Sequence, residues 1–165
     1  MFEHDKQEEA LSTKTPFDFA AAHRYFAADC FNKAWDLIEK SERTPEEDQQ
    51  MIGLGQASLW HWTQRDDCTD QNLSVGYWQA SRIYSLAGQA EEARRYGQLS
   101  LDCSRRGKLP PFFLGYSYEA LARAESVQGN RAEVEKHLVS AREAADKVSG
   151  AEEKKQLLDD LGAIG

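Results

Sequence analysis

Breaks fall along this chain at helix-length intervals, and between them apolar residues recur every three or four positions. That pairing constrains the fold more than any other feature, because a 3.6-residue period demands helices and no stretch shows the period of two that a strand needs. The segments "TPFD", "RTPEED", "RDDCTD", "LAGQ", "GKLPP", "QGNR" and "SGAEE" supply the Pro, Gly, Asp, Asn and Ser that open and close helices. The clearest start is "RTPEED". Thr44 caps, Pro45 takes the first helical position, and Glu47 completes a capping box. Glu46, Glu47 and Asp48 also sit at the positive end of that helix dipole. Thr15 and Pro16 open the first helix in the same manner.

Seven helices are expected. The first covers about residues 16–40, with Phe19, His23, Phe26, Cys30, Ala34 and Leu37 as its stripe, widened by Phe31, Trp35 and Ile38. The second runs from Pro45 to about Gln64. The third carries Leu73, Gly76, Tyr77, Ala80, Ile83, Tyr84 and Ala87 and stops at Gly88. The fourth, from about Gln89 to Arg106, has a small-residue face of Ala93, Gly97, Ser100 and Leu101. The fifth covers about Pro111 to Gln128 and ends at Gly129. Asn130 and Glu133 open the sixth, to about Val148, and Ser149 caps a short seventh that turns Leu157, Leu158 and Leu161 inward. Short connections make neighbouring helices antiparallel. The expected fold is all-α: a polar leader over about residues 1–14, then one domain over about 15–165. Its hairpins cover about 16–64, 70–106 and 111–148, with a capping helix over about 149–162.

At 165 residues such a domain buries roughly 70% of the surface its unfolded chain exposes, so it folds without disulfide or metal. Cys30, Cys68 and Cys103 are odd in number and far apart, which points to reduced thiols and a cytoplasmic location. The net charge of -8 offers no cluster of cations for nucleic acid or for an anionic membrane surface. No run approaches the ~18 apolar residues of a membrane span, and the acidic start "MFEHDKQEEALSTKT" is not a signal peptide.

The segment "LSVGYWQASRIYSLAGQAEEARRYGQLSL" resembles a tetratricopeptide repeat, a helix–turn–helix of about 34 residues. Tyr77 takes the aromatic place, Ala80 the Leu place and Ser81 the small place, while Tyr84, Gly88 and Ala93 match directly. Tyr118, Leu121, Ala122, Gly129 and Ala141 repeat the register, with Glu125 where Tyr is expected and Val134 where Ala is expected. The segments "CFNKAWDLIEK", "RTPEED" and "ASLWHWTQ" also resemble small uncharacterised bacterial proteins with a tetratricopeptide-like domain. The resemblance implies hairpins stacked as a short right-handed superhelix whose first helices line a concave groove. The groove side would hold Trp78, Arg82 and Ser85, with Tyr116, Glu119 and Arg123 added from the fifth helix. An exposed Trp beside Arg has the composition of a binding hot spot, and Trp78 and Arg82, four apart, could stack as a cation–π pair. The Lys/Asn carboxylate clamp of chaperone-binding members is absent, with Gln79 and Ala120 in neighbouring positions.

No enzyme signature is present: no HExxH, no Walker loop, no GxSxG, and no GxGxxG after a strand. Gly53 and Gly55 lie inside a helix and imply close helix approach. His61, Asp66, Asp67 and Cys68 fit no zinc spacing, so no metal or cofactor is expected. His23, in the first stripe, reads as a boundary histidine with one hydrogen bond. Glu125 shares a face with Leu114, Tyr118, Leu121 and Ala122, so it is expected inward, paired with His137 or with a substitute Arg. In "WHW" both tryptophans, Trp60 and Trp62, are expected to pack while His61 reaches water. The functional expectation is a non-catalytic helical-repeat protein that binds a protein or peptide in its groove. The alternatives are a small-molecule or metal-binding protein with a pocket of Trp60, Trp62, His23 and His61, a self-associating subunit such as a homodimer, and an acidic regulator in a larger complex.

Overall fold

The computed structural model describes residues 17–164, and the described residues form seven α-helices and no strand. They are α1 (Phe19–Ile38), α2 (Pro45–Thr63), α3 (Asp70–Leu86), α4 (Ala90–Arg106), α5 (Pro111–Gln128), α6 (Arg131–Ala145) and α7 (Ala151–Gly162). The capping box of "RTPEED" forms as expected: Thr44 Oγ1 accepts from the Glu47 N–H, and Glu47 accepts from the Thr44 N–H. A second box, between Thr69 and Asn72, opens α3. Two expected caps differ, those of α6 and α7. Thr15 and Pro16 lie outside the described residues, and Asp18 caps α1 by accepting from the Ala21 N–H. Asn130 makes no side-chain cap on α6, and Gly150 rather than Ser149 stands at the start of α7.

The helices pair as α1–α2, α3–α4 and α5–α6, and the pairs join where α2 meets α3 and α4 meets α5. The first helices also meet, α1 with α3 and α3 with α5, while α7 covers α5 and α6. No described helix is long and apolar enough to cross a membrane.

Side-chain size decides how closely these helices approach. Ala93, Gly97, Ser100 and Leu101 of α4 are all buried, and a Cβ at Gly97 would stand 3.3 Å from the Leu121 backbone nitrogen. Gly55 faces Ile83 Cδ1 at 2.6 Å from its would-be Cβ, so close approach explains it, but Gly53 has nothing within 4 Å. Between α3, α4 and α5 four buried serines close a ring of hydroxyls. Ser74 meets Ser104 at 2.7 Å and Ser100 at 3.3 Å, and Ser117 meets both Ser100 and Ser104 at 2.9 and 3.0 Å. Each hydroxyl serves its neighbour as donor or acceptor, so the ring is buried without an orphaned group.

Two apolar clusters hold the ends together. Ala34, Ile38, Met51 and Ile83 join the first pair to α3. Tyr116, Leu138, Ala141, Leu157, Leu161 and Ile164 hold the seventh helix on the third pair. The buried line of α1 is Ala27, Cys30, Ala34 and Ile38, one step round from the expected stripe, and Phe19 and Phe26 stand exposed. In α7, Leu157 and Leu161 turn inward as expected, whereas Leu158 is exposed.

Gly88 and Gly129 close α3 and α5 with φ of 72° and 78°. In each turn the following N–H reaches back to a carbonyl of the last helical turn, Gln89 to Tyr84 and Asn130 to Glu125. A side chain at a positive φ costs about 1–2 kcal/mol. Gly88→Ala and Gly129→Ala should each lower stability by about that amount, while Gly53→Ala, in a helix interior with open space around it, should raise it by about 0.5–1 kcal/mol. Urea unfolding midpoints of the three variants check the contrast.

Candidate functional site

A cleft of about 420 Å³ lies where α1, α3, α5 and α7 converge. Phe31 and Trp35 enter from α1, Trp78 and Arg82 from α3, Glu119 from α5, and Gln156 and Asp160 from α7. Phe31 and Trp35, Trp78 and Arg82, and Gln156 and Asp160 are each four residues apart, so one stripe of each of α1, α3 and α7 faces the same space.

Glu119 forms the floor and is 1% exposed. A carboxylate in that position needs full compensation. Trp78 Nε1–H donates to Glu119 Oε2 at 2.9 Å, and Arg123 Nε–H donates to Oε1. Arg123 continues to the Asp160 carbonyl at 3.3 Å, and the Tyr116 hydroxyl donates to Asp160 Oδ2 at 2.7 Å. Burial, followed by that bond to Asp160, pushes the Tyr116 hydroxyl far above the ordinary range of a phenol, so it stays a donor. One chain of bonds thus links α3, α5 and α7.

Arg82 is left over. Its side chain is 27% exposed, and its contact with Glu119, at 3.8 Å from Nη1, is too long for a hydrogen bond. Its Nε is buried with no hydrogen-bond partner among the described residues. Burial and then the neighbouring Arg123 guanidinium push Arg82 below the ordinary arginine range, which means that the surroundings disfavour its charge.

A second pocket, of about 150 Å³, adjoins the cleft and shares Trp78 and Gln156 with it. Val75, Phe112, Phe113 and Tyr116 make it apolar, and Ser74 and Ser100 of the serine ring reach its wall. Trp78 therefore stands between a charged space and an apolar one. Its ring is fixed by Trp35 at 5.6 Å and by Tyr116 at 5.2 Å, between centroids.

Of the six expected groove residues, Trp78, Arg82 and Glu119 line the cleft, Tyr116 lines the adjoining pocket, and Arg123 lies behind, on Glu119. Ser85 lines neither, and its Oγ is buried without a partner among the described residues. Trp78 is half-buried rather than exposed, and its indole packs on Trp35 and Tyr116 instead of stacking with Arg82. The aromatic wall from α1 and the polar edge from α7 escaped the sequence reading. Phe31 and Trp35 stood in a stripe read as core, and Asp160 in a helix read as a cap.

Glu125 is inward, 4% exposed, but its partner is not His137. The substitute Arg is Arg94 of α4, whose Nε and Nη2 donate to the two carboxylate oxygens at 2.5 and 3.1 Å. That fork holds the Glu125 carboxyl below the usual carboxylate range. His137 faces Glu133 at 3.9 Å, and its ring stacks near Tyr118. A guanidinium one helix away offers two parallel bonds, where an imidazole offers one.

"WHW" is reversed. Trp60 is 55% exposed, while His61 is half-buried against Phe26 and His23. The two imidazoles meet Nδ1 to Nδ1 at 2.8 Å, joining α1 to α2. Trp62 lies elsewhere, with the Arg65 guanidinium 3.9 Å from its ring centroid, and lines a small cavity with Phe31 and Gln71. The four residues of the expected Trp/His pocket are therefore split between two places. Cys30 and Cys103 are buried and Cys68 partly so, and burial raises all three thiols above their ordinary range. Among the described residues no group of three or more His, Cys, Asp and Glu is placed to hold a metal ion.

No family model, curated protein or solved structure matches the chain. Its own side chains are the guide to what it does.

Removing Arg123 would strand the buried Glu119 carboxylate, so Arg123→Gln should destabilise the protein by about 3 kcal/mol. Arg82→Gln removes a guanidinium that makes no close bond and repels Arg123, so it should change stability by less than about 0.5 kcal/mol or raise it slightly. Chemical denaturation distinguishes the two.

The histidine contact needs one ring to donate and the other to accept, so both cannot be charged. Burial and then His23 lower the His61 value below 6.5, and burial lowers His137 as well. A lowered histidine value contributes stability that is present above about pH 6.5 and lost as pH falls through the folded value. The melting temperature should therefore drop as pH is lowered from about 7 to about 5.5, and His61→Gln combined with His137→Gln should flatten that drop.

Proposed function

We propose that this is a non-catalytic helical-repeat protein, tetratricopeptide-like in plan, that binds a protein or peptide segment in the cleft between α1, α3, α5 and α7. The observation that carries the reading is Arg82: its side chain lines a space walled by three aromatic rings, its Nε has no hydrogen-bond partner among the described residues, and its nearest carboxylate stands 3.8 Å away. Such a group lowers stability unless something answers it, and among the described residues only Glu119, at 3.8 Å, does so, without a hydrogen bond. Aromatic residues with arginine are also the composition that dominates binding hot spots.

The packing order supports the repeat plan. The first helix of each pair meets the first helix of the next, which places residues of α1, α3 and α5 along one side, with α7 at the end. Three unpaired cysteines agree with a reducing, cytoplasmic setting, and the resemblance to small bacterial proteins would make that cytoplasm bacterial.

Selection of phage-displayed random peptides on the full chain tests this. Enriched peptides should lose about tenfold or more in affinity on Arg82→Gln, whose fold is expected to be intact. Peptides that bind the variant as tightly as the parent, or that compete at Trp60 and not at Trp78, would remove the cleft as the binding surface.

A further inference from the structure

We infer that the cleft takes a peptide segment in which a bulky apolar residue stands beside an acidic one, its apolar side chain in the pocket behind Trp78 and its carboxylate on Arg82. This rests on the reading that the cleft is the binding surface, and it adds what the surface selects.

The charge comes first. Each Glu119 oxygen carries one close bond, from Trp78 or from Arg123, while Arg82 Nη1 stands 3.8 Å from Oε1, within ion-pair reach but beyond a hydrogen bond. Arg123 is turned to Glu119 and to the Asp160 carbonyl. Among the described residues the cleft therefore presents a cation with no close hydrogen bond, and that cation is planar. A guanidinium makes two parallel N–H bonds to a carboxylate. A phosphate dianion would need more positive charge, and here Glu119 and Asp160 stand beside the site. A monoanionic carboxylate fits both the shape and the count.

The apolar partner follows from the adjoining pocket. Its volume of about 150 Å³ and its lining of Val75, Phe112, Phe113 and Tyr116 suit one side chain of about the size of a benzene ring. The two spaces share Trp78 and Gln156, so occupants of both lie within one or two residues of each other on a bound chain. Gln156, exposed at that junction, carries both a donor and an acceptor for the peptide unit joining the two residues.

The test uses the ¹⁵N-labelled full chain and three probes: N-acetyl-Phe-Asp-amide, N-acetyl-Phe-Asn-amide and N-acetyl-Ala-Asp-amide. The resonances followed are the Trp78 indole N–H and the Arg82 Nε–H, with the Trp60 indole as a distant control. The Phe-Asp probe should shift Trp78 and Arg82 saturably and leave Trp60 still, and each of the other probes should bind at least about tenfold more weakly. On Arg82→Gln the Phe-Asp and Phe-Asn probes should bind equally, and Arg82→Lys, which keeps the charge without the fork, should fall between. Equal binding of Phe-Asp and Phe-Asn to the parent protein would overturn the inference while leaving the cleft a peptide site. No movement of Trp78 with any probe, or movement at Trp60 alone, would overturn both.

Discussion

The buried carboxylate of Glu119 is the constraint around which the cleft between α1, α3, α5 and α7 is organised. An acid group that is 1% exposed must be answered from every direction it can accept, and the answers come from separate helices. The Trp78 indole reaches it from α3 and Arg123 from its own helix α5, and Arg123 then carries the connection to α7 through the Asp160 carbonyl. Three helices are fixed relative to one another by one charge. The same arrangement holds the Trp78 ring upright between Trp35 and Tyr116, so the wall of the cleft is a by-product of satisfying its floor.

Elsewhere the molecule handles buried polarity by pairing it locally. The hydroxyls of Ser74, Ser100, Ser104 and Ser117 satisfy one another where α3, α4 and α5 come close. Glu125 takes a two-pronged bond from Arg94 across α4 and α5. Ser58 donates to the Ala27 carbonyl within the first pair, and Gln79 of α3 donates to that of Phe31, tying the pair to its neighbour. Small residues allow the helices to approach, and short polar groups then bridge what little distance is left. Against this thrift Arg82 Nε and Ser85 Oγ, both on α3, stand out as buried polar atoms without a partner among the described residues.

The helices themselves were legible in the residues. Thr44–Pro45–Glu47, Gly88, Gly129 and the Pro-rich break before α5 act through nearest neighbours, so their meaning does not depend on the rest of the fold. The small face of α4 and the inward turn of Glu125 were also legible, since a 3.6-residue period places a side chain on its own helix. The partner of Glu125 was not. Arg94 lies 31 positions away on a different helix, and no local pattern ranks it above His137. The same limit explains the reversal at Trp60 and His61. Periodicity gives the angle between them but not which neighbour occupies each side, and His23 across the first pair decided it.

By itself the sequence determined an all-helical chain, where each helix starts and stops to within a few residues, and which polar residues stand among apolar ones. These are consequences of capping, backbone freedom and helical period, all of which act over four or five residues. Only the tertiary structure decided which of those polar residues meet. It brought Trp78, Glu119, Arg123 and Asp160 into one bonded group and left Arg82 beside them without a close bond. The physical reason is that a buried charge is answered by whichever donor the packing of distant helices delivers, and that packing is set by the sizes of side chains far apart in the chain.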